Sequence, residues 1–438
     1  MNRSPVDTVQ HARAPRLSSW QLAWLASAVF VASAGYGGLM PLLPRWLVAL
    51  MPGASAADIA RHVGLLSGAY AAGVMIGAPL WGLLSDRVGR ARILIIGLLG
   101  YVGSLLLLLA PDFFGISFIY AARGAAGFFV AAVVPLVPAL VAEHTPESQR
   151  ARRFAWLSGM SLAGFLFGPG MIGLAEVLER GLGQASSGAE RLTALVIILS
   201  AMLGALAMFG LAATLRHRRE PARWSEPGPT QPRLTGRNLA LWGLGGTVMF
   251  VLSGFELGIV LQGQRHAELS PRDIAWMFAE CSIAMLLVNG ILFFTSLLDR
   301  AAPSVLAGAG MILAIAGLVV LGRHQSEVWM YVGIGMVGAG TGLVLPVLSY
   351  VAAAASPRTL GVTMGGLAAA AGLGQTLGSS VGGWLFGMVG QQSFSWLIGP
   401  LGLGLLMLGA RPRWWSAADA VPSSRPALRK APSHGNPL

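Results

Sequence analysis

Charge is what this 438-residue chain holds least of: 11% of its residues are charged against 55% hydrophobic, and mean hydropathy is +0.66. A soluble chain of that length needs far more charge to cover its surface, so a soluble fold is excluded. There is a single cysteine, Cys281, inside an apolar run, so a disulfide framework or cysteine-based metal cluster is not available. There is a single lysine, Lys430, and no glycine-rich phosphate loop ending in lysine, which excludes an ATP-driven motor of that type. His11, His62, His144, His217, His266, His324 and His434 fall in loops, tails or the ends of apolar runs, so no histidine relay, metal site or cofactor is expected. The formal charge of +12 would suggest nucleic-acid binding in a soluble protein. Here it reads as a topology signal.

What is abundant is apolar sequence in runs of roughly 20 residues, the length that crosses a hydrocarbon core of about 30 Å. Backbone groups in lipid are satisfied only within such a segment, so the runs are helices. Their spacing predicts twelve, at 20–47, 62–84, 92–110, 115–142, 153–177, 191–215, 238–262, 272–298, 304–322, 328–354, 361–388 and 394–410. Residues 1–19 are polar and the first apolar run is too long for a cleaved signal, so an uncleaved tail is expected. An even number of crossings puts both tails and the 216–237 connection on one side. Most of the 30 Lys+Arg fall on that side. Arg45, Arg61, Arg180, Arg191, Arg265, Arg272 and Arg323 fall on the other, and Arg123 lies within the membrane. By the positive-inside rule the basic side is cytoplasmic, with both termini there.

The chain repeats itself. Tyr120-Ala-Ala-Arg-Gly-Ala-Ala-Gly, followed by Pro135 and Thr145-Pro146, aligns without gaps on Tyr331-Val-Gly-Ile-Gly-Met-Val-Gly, Pro346 and Ser356-Pro357. Asp86-Arg87 matches Asp299-Arg300, and Gly164, Gly168 and Gly173 match Gly374, Gly378 and Gly383. Tyr36, Gly38 and Arg45 match Glu256, Gly258 and Arg265. Ser55-x-x-Asp58 and Ser270-x-x-Asp273 both read as capping boxes opening helices 2 and 8. The expected organisation is an N-terminal tail (1–19), a six-helix bundle (20–215), a Pro- and Arg-rich linker (216–237), a second bundle (238–410) and a C-terminal tail (411–438). Two such halves are the layout of alternating-access transporters.

Between helices 2 and 3 stands Gly82-Leu-Leu-Ser-Asp86-Arg87-Val-Gly89-Arg90-Ala-Arg92. Gly82 allows close helix approach and Gly89 a tight turn. Asp86 can accept from a helix N-terminus or pair with an arginine across the gap between halves, locking one conformation. This loop closely resembles the signature of the major facilitator superfamily. With twelve spans and the duplication, the resemblance covers residues 20–410. It implies an all-α membrane protein of two pseudo-symmetric six-helix bundles around a central cavity, expected to work as a monomer.

Arg123, near the middle of helix 4, costs several kcal/mol at that depth unless it faces water or a partner. Its repeat partner is Ile334, so packing alone does not demand arginine. Arg123-Gly-Ala-Ala-Gly127 resembles the helix 4 motif of proton-linked members, where the arginine is implicated in proton coupling or substrate-charge recognition. Helix 5 carries Gly164-Phe-Leu-Phe-Gly168-Pro169-Gly170-Met-Ile-Gly173. Small residues at this spacing make a flat packing face, and Pro169 removes a backbone bond. The pattern resembles the antiporter motif of drug:proton exporters and departs from it after Pro169, where the terminal glycine pair is reduced to Gly173.

Two carboxylates lie inside the last apolar half. Glu256 follows Asn238 by 18 residues, about 27 Å along helix 7, and Glu280 stands ten residues past the Ser270 cap, about 15 Å into helix 8. The two helices form an antiparallel hairpin, so the acids could meet in one layer. Desolvation favours the protonated form of such a group, which is what a proton-coupling carboxylate requires. Met249, Ser253 and Glu256 form one stripe that could line a cavity, with Tyr36, Asn289 and Gln375 as further candidates for contact with substrate. The reading is a proton-driven exporter of small organic molecules in the bacterial inner membrane, not an enzyme. Its rivals are a carrier, exporting or importing, of one metabolite such as a siderophore, sugar or amino acid, and, more remotely, a transport-dead membrane sensor.

Overall fold

The computed structural model describes residues 17–145, 147–181, 188–215, 235–266, 269–295, 297–353, 360–410 and 415. Most of the N-terminal tail, the 216–237 linker and the C-terminal tail lies outside these residues.

Among the described residues all regular structure is helical, with eleven segments long and apolar enough to cross a membrane. The last, Thr363–Ala410, has 48 residues. As one helix it would run about 72 Å, more than twice the hydrocarbon thickness. It turns instead at Gly390, whose φ of +61° favours glycine. The reversal shows against helix 7. Gly366 packs on Trp242 and Gly382 on Gly254 going one way. Phe394 then packs on Gly258, Leu397 on Gly254 and Gly404 on Leu244 coming back. There are therefore twelve crossings: α1 Ser19–Leu50, α2 Ala56–Val88, α3 Arg90–Leu107, α4 Gly115–His144, α5 Glu147–Gly181, α6 Ala189–Leu215, α7 Gly236–Gln262, α8 Pro271–Phe294, α9 Pro303–Arg323, α10 Glu327–Ala353, α11 Leu360–Val389 and α12 Ile398–Ala410.

Local chemistry sets the ends. Ser270 and Asp273 form a reciprocal capping box on α8, whereas Ser55 caps α2 by accepting from the Asp58 N–H. The α2 cap puts its start at Ala56, six residues ahead of the apolar run, because the first turn is polar. Thr295 is extended and ends α8 at Phe294, short of the expected 298. Pro41 lacks an N–H and tightens Met40–Leu42 into a 3-10 turn, after which α1 resumes to Leu50.

The two halves pack alike. In the first, α1 lies along α5 and α6, α2 on α4, and α3 on α4 and α6. In the second, α7 lies along α11 and α12, α8 on α10, and α9 on α10 and α12. The halves meet through α2–α11 and α5–α8. The closest approaches of α2 to α11 run from Ala57–Gly387 through Gly64–Gly383 to Met75–Gly372. They start at the face opposite the loop carrying Arg87, Arg90 and Arg92 and reach about mid-membrane. At that same face Arg45 Nη2 donates to the Leu269 carbonyl at 2.9 Å, joining α1 to the start of α8. The halves are thus closed together at the face away from the basic loop.

Candidate functional site

Tyr36, one turn before the 3-10 segment Met40–Leu42, lies where α1 faces the second half. Tyr36 is buried, with its ring 5.4 Å from that of Tyr70 on α2 and edge-on to Phe165 on α5 at 5.8 Å. Its hydroxyl donates to Glu256 Oε2 on α7 at 3.5 Å, at the long limit for such a bond. Tyr36 and Glu256 are repeat equivalents. A pair of equivalent residues in contact marks the point where the pseudo-two-fold axis passes between the halves.

Behind Tyr70 stands Arg123, only 2% exposed. Its guanidinium carbon sits 4.6 Å from the centre of the Tyr70 ring, a cation–π contact that is worth about 2 kcal/mol when desolvated. Nη2 approaches Met40 Sδ at 3.8 Å, and Ser67 Oγ reaches the same sulfur at 3.5 Å. Nε has no hydrogen-bond partner among the described residues. Guanidinium, two tyrosine rings and a carboxylate therefore form one line, Arg123–Tyr70–Tyr36–Glu256, from the interior of the first half into the second. The two ends do not touch. A ring and a thioether compensate a desolvated guanidinium less than a carboxylate does, so the positive end of the line is only partly satisfied.

Glu280 stands apart from that line. It lies against α10, its Oε1 3.2 Å from where a Cβ on Gly335 would be, so the glycine makes room for the carboxylate. Its Oε2 is buried without a partner among the described residues. The two acids form no hydrogen bond with each other: Glu256 turns towards α1 and Glu280 towards α10.

On the expected cavity stripe, Ser253 is buried at 4% exposure and Met249 is partly buried against the core. The Asn289 amide donates back to the Met285 carbonyl at 2.8 Å, so one of its two N–H donors is used within its own helix. Gln375 is partly exposed on α11.

In the loop between α2 and α3, Gly89 has φ +103° and permits the reversal, while nothing stands within 4 Å of a Cβ at Gly82. Asp86 pairs with Arg90 at 3.6 Å, and Arg90 reaches Glu143 at the end of α4 at 3.1 Å, with Arg87 exposed. These ion pairs lie within the first half. On α5, Gly164 and Gly168 seat the helix on the backbone of α1, a Cβ at Gly168 falling 2.7 Å from the Gly37 carbonyl. Pro169 and Gly173 instead line a cleft beside α8.

Sequence reasoning missed Tyr70, Met40, Ser67 and Phe165. The available signal was a tyrosine at mid-span in a chain with only six. Among the described residues no group of His, Cys, Asp and Glu could hold a metal ion.

A duplicated set of twelve crossings, closed at one face with a buried charge line at the junction of its halves, defines a secondary membrane carrier. The family model for the Major Facilitator Superfamily matches residues 25–266, more than half of the chain, and the protein belongs to that superfamily. It is a transporter, not an enzyme. It is 33% identical over 154 residues to "Quinolone resistance protein NorA" of Staphylococcus aureus, a match spanning 35% of this chain and 37% of that protein. It is 26% identical over 383 residues to "Tetracycline resistance protein, class D" of Salmonella ordonez, covering 85% of this chain and 92% of that one. The match to the first relative thus spans little more than a third of its length. Among solved structures, a bacterial homologue of the human lysosomal transporter Spinster, inward-facing and unoccupied, superposes with TM-score 0.70 at 15% identity. It covers 93% of this chain and all of the other, and shows the shared fold.

Proposed function

We propose that the protein is a proton-coupled exporter of small organic molecules in the bacterial inner membrane, with both termini cytoplasmic. The observation that carries this reading is the Tyr36–Glu256 contact, a membrane-embedded carboxylate held across the junction of the halves by one long hydrogen bond. Among the described residues no ion pair holds Glu256, and an acid without one at this depth is costly unless it carries a proton. Opening the closed face parts α1 from α7, breaks that bond and gives Glu256 to the water outside. A proton taken there and released inside would couple the gradient to the conformational change. Glu280 is the second candidate acid, and Arg123 the group that recognises an anionic centre or reports the charge of Glu256 through Tyr70 and Tyr36. Asp86, Arg90 and Glu143 secure the loop that moves at the inner face, with Gly82, Arg87 and Gly89 completing it. Gly164 and Gly168 keep α5 rigid against α1. Substrate would contact Met249, Ser253, Asn289 and Gln375. The names of the two resistance relatives support export of drug-like molecules.

The test is a resistance panel in a pump-deficient host carrying the wild type, Glu256→Gln or Glu280→Gln. Wild type should protect against several unrelated compounds, and at least one variant should lose protection while still reaching the membrane. Protection against none, with uptake or export of one metabolite, would replace this reading by a dedicated carrier. Undiminished protection by both variants would remove the carboxylates from the mechanism.

A further inference from the structure

The two contacts that join the halves are related by the internal repeat, and they differ. On α11 a Cβ at Gly383 would fall 2.6 Å from the Gly64 Cα and the Ala60 carbonyl, so α2 and α11 touch backbone to backbone. Its repeat partner on α5, Gly173, has nothing within 4 Å. A cleft of about 440 Å³ lies there instead, walled by α5 from Leu166 to Val177 and by Arg272 and Trp276 of α8.

Three features define what fits it. The seven α5 residues that line it are all apolar and run from Leu166 to Val177, about 16 Å of helix, or half of the ~30 Å hydrocarbon core. That is the depth of one acyl chain in one leaflet. Phe167, Leu174, Val177 and Trp276 remain exposed on membrane-spanning helices, so the cleft opens sideways to the bilayer. At its rim Arg272, in the first turn of α8, is exposed and has no ion-pair partner among the described residues. Asp273 and Glu176 are engaged elsewhere: Asp273 accepts from the Ser270 N–H at 2.8 Å, and Glu176 pairs with Arg180 at 3.7 Å, while Glu179 on α5 is buried at 5% exposure. An unpaired guanidinium one turn from an interfacial tryptophan is suited to a phosphate at the headgroup level.

We propose that the α5–α8 cleft binds one anionic phospholipid, its acyl chain along α5 from Leu166 to Val177 and its phosphate on Arg272. The lipid supplies at α5–α8 the contact that glycine on glycine supplies at α2–α11. Its occupancy therefore favours the arrangement closed at this face. The inference is independent of proton coupling.

Native mass spectrometry of the purified full chain, titrated with phosphatidylglycerol or phosphatidylcholine, tests it. The wild type should retain one phosphatidylglycerol at concentrations where phosphatidylcholine is not retained. Arg272→Gln should weaken retention at least tenfold. Gly173→Leu, whose side chain enters open space, and Val177→Trp should each displace the lipid, while Arg180→Gln should leave it in place. Thermal unfolding in detergent, run alongside, should show phosphatidylglycerol raising the Tm of the wild type and of neither Arg272→Gln nor the two cleft variants. Equal retention of both lipids by the wild type would overturn the proposal. So would wild-type retention by Arg272→Gln, or by whichever cleft variants fold.

Discussion

Gly383→Ala tests the closed junction most sharply. The added methyl would stand 2.6 Å from two backbone atoms of α2, the Ala60 carbonyl oxygen and the Gly64 Cα. Normal contact is about 3.5–4 Å, and backbone cannot rotate away as a side chain can, so α11 must retreat by about 1 Å. Overpacking of this kind costs about 1–3 kcal/mol. The gain in helix propensity from replacing glycine applies in every conformation and drops out. The closed arrangement should therefore lose about 5- to 150-fold in population against the arrangement open at that face, at about 1.4 kcal/mol per tenfold. Gly173→Ala adds the same methyl at the repeat-equivalent position, where nothing lies within 4 Å, and should not shift the populations. Pulsed electron paramagnetic resonance would read this directly. Spin labels replace Arg61 on α2 and Met388 on α11, both exposed, in a Cys281→Ser background. The long-distance population should grow in Gly383→Ala alone. An unchanged distribution in that variant, or an equal change in Gly173→Ala, would refute the reasoning.

Three further outcomes follow from other contacts. Gln391, buried between α11 and α12, donates to the Leu321 and His324 carbonyls at 2.7 and 2.6 Å. Gln391→Ala should destabilise the protein by about 1–3 kcal/mol in thermal unfolding, and an unchanged Tm would contradict it. Tyr36→Phe keeps the ring contacts and removes the donor to Glu256, so expression should hold while the pH profile of transport moves. An unmoved profile would mean the bond has no part in coupling. Arg123→Lys keeps the charge and loses the flat face over Tyr70, about 0.5–2 kcal/mol of contact. Transport should fall well below wild type with the protein still folded, and full transport would reduce Arg123 to a bare charge.

The twelve crossings and their two-fold arrangement are legible in the sequence, because hydropathy in lipid is a strong signal and repeat matches fall in order. The pairing of Tyr36 with Glu256 is implicit in their equivalence, since an axis relating two halves brings equivalent residues together. Side-chain direction is not legible. Glu256 and Glu280 lie on neighbouring antiparallel helices, yet helix rotation turns one towards α1 and the other towards α10, and a sequence does not state rotation. Asp86 has equally good partners across the gap or one turn along its own chain. The structure gives it Arg90, held in turn by Glu143. The α5–α8 cleft is hidden in the sequence because Gly173 and Gly383 are the same letter. Only their surroundings differ, the close backbone of α2 in one case and the wide indole of Trp276 in the other.

The central claim is that Glu256 exchanges a proton in competition with substrate. Proton release on substrate addition, followed by a pH indicator in weakly buffered detergent solution, measures that exchange in the purified protein. With a compound from the resistance panel, the wild type should release protons in proportion to occupancy, and Glu256→Gln should bind the compound and release none. Release undiminished in Glu256→Gln, or binding by the wild type with no release at any pH, would contradict the account.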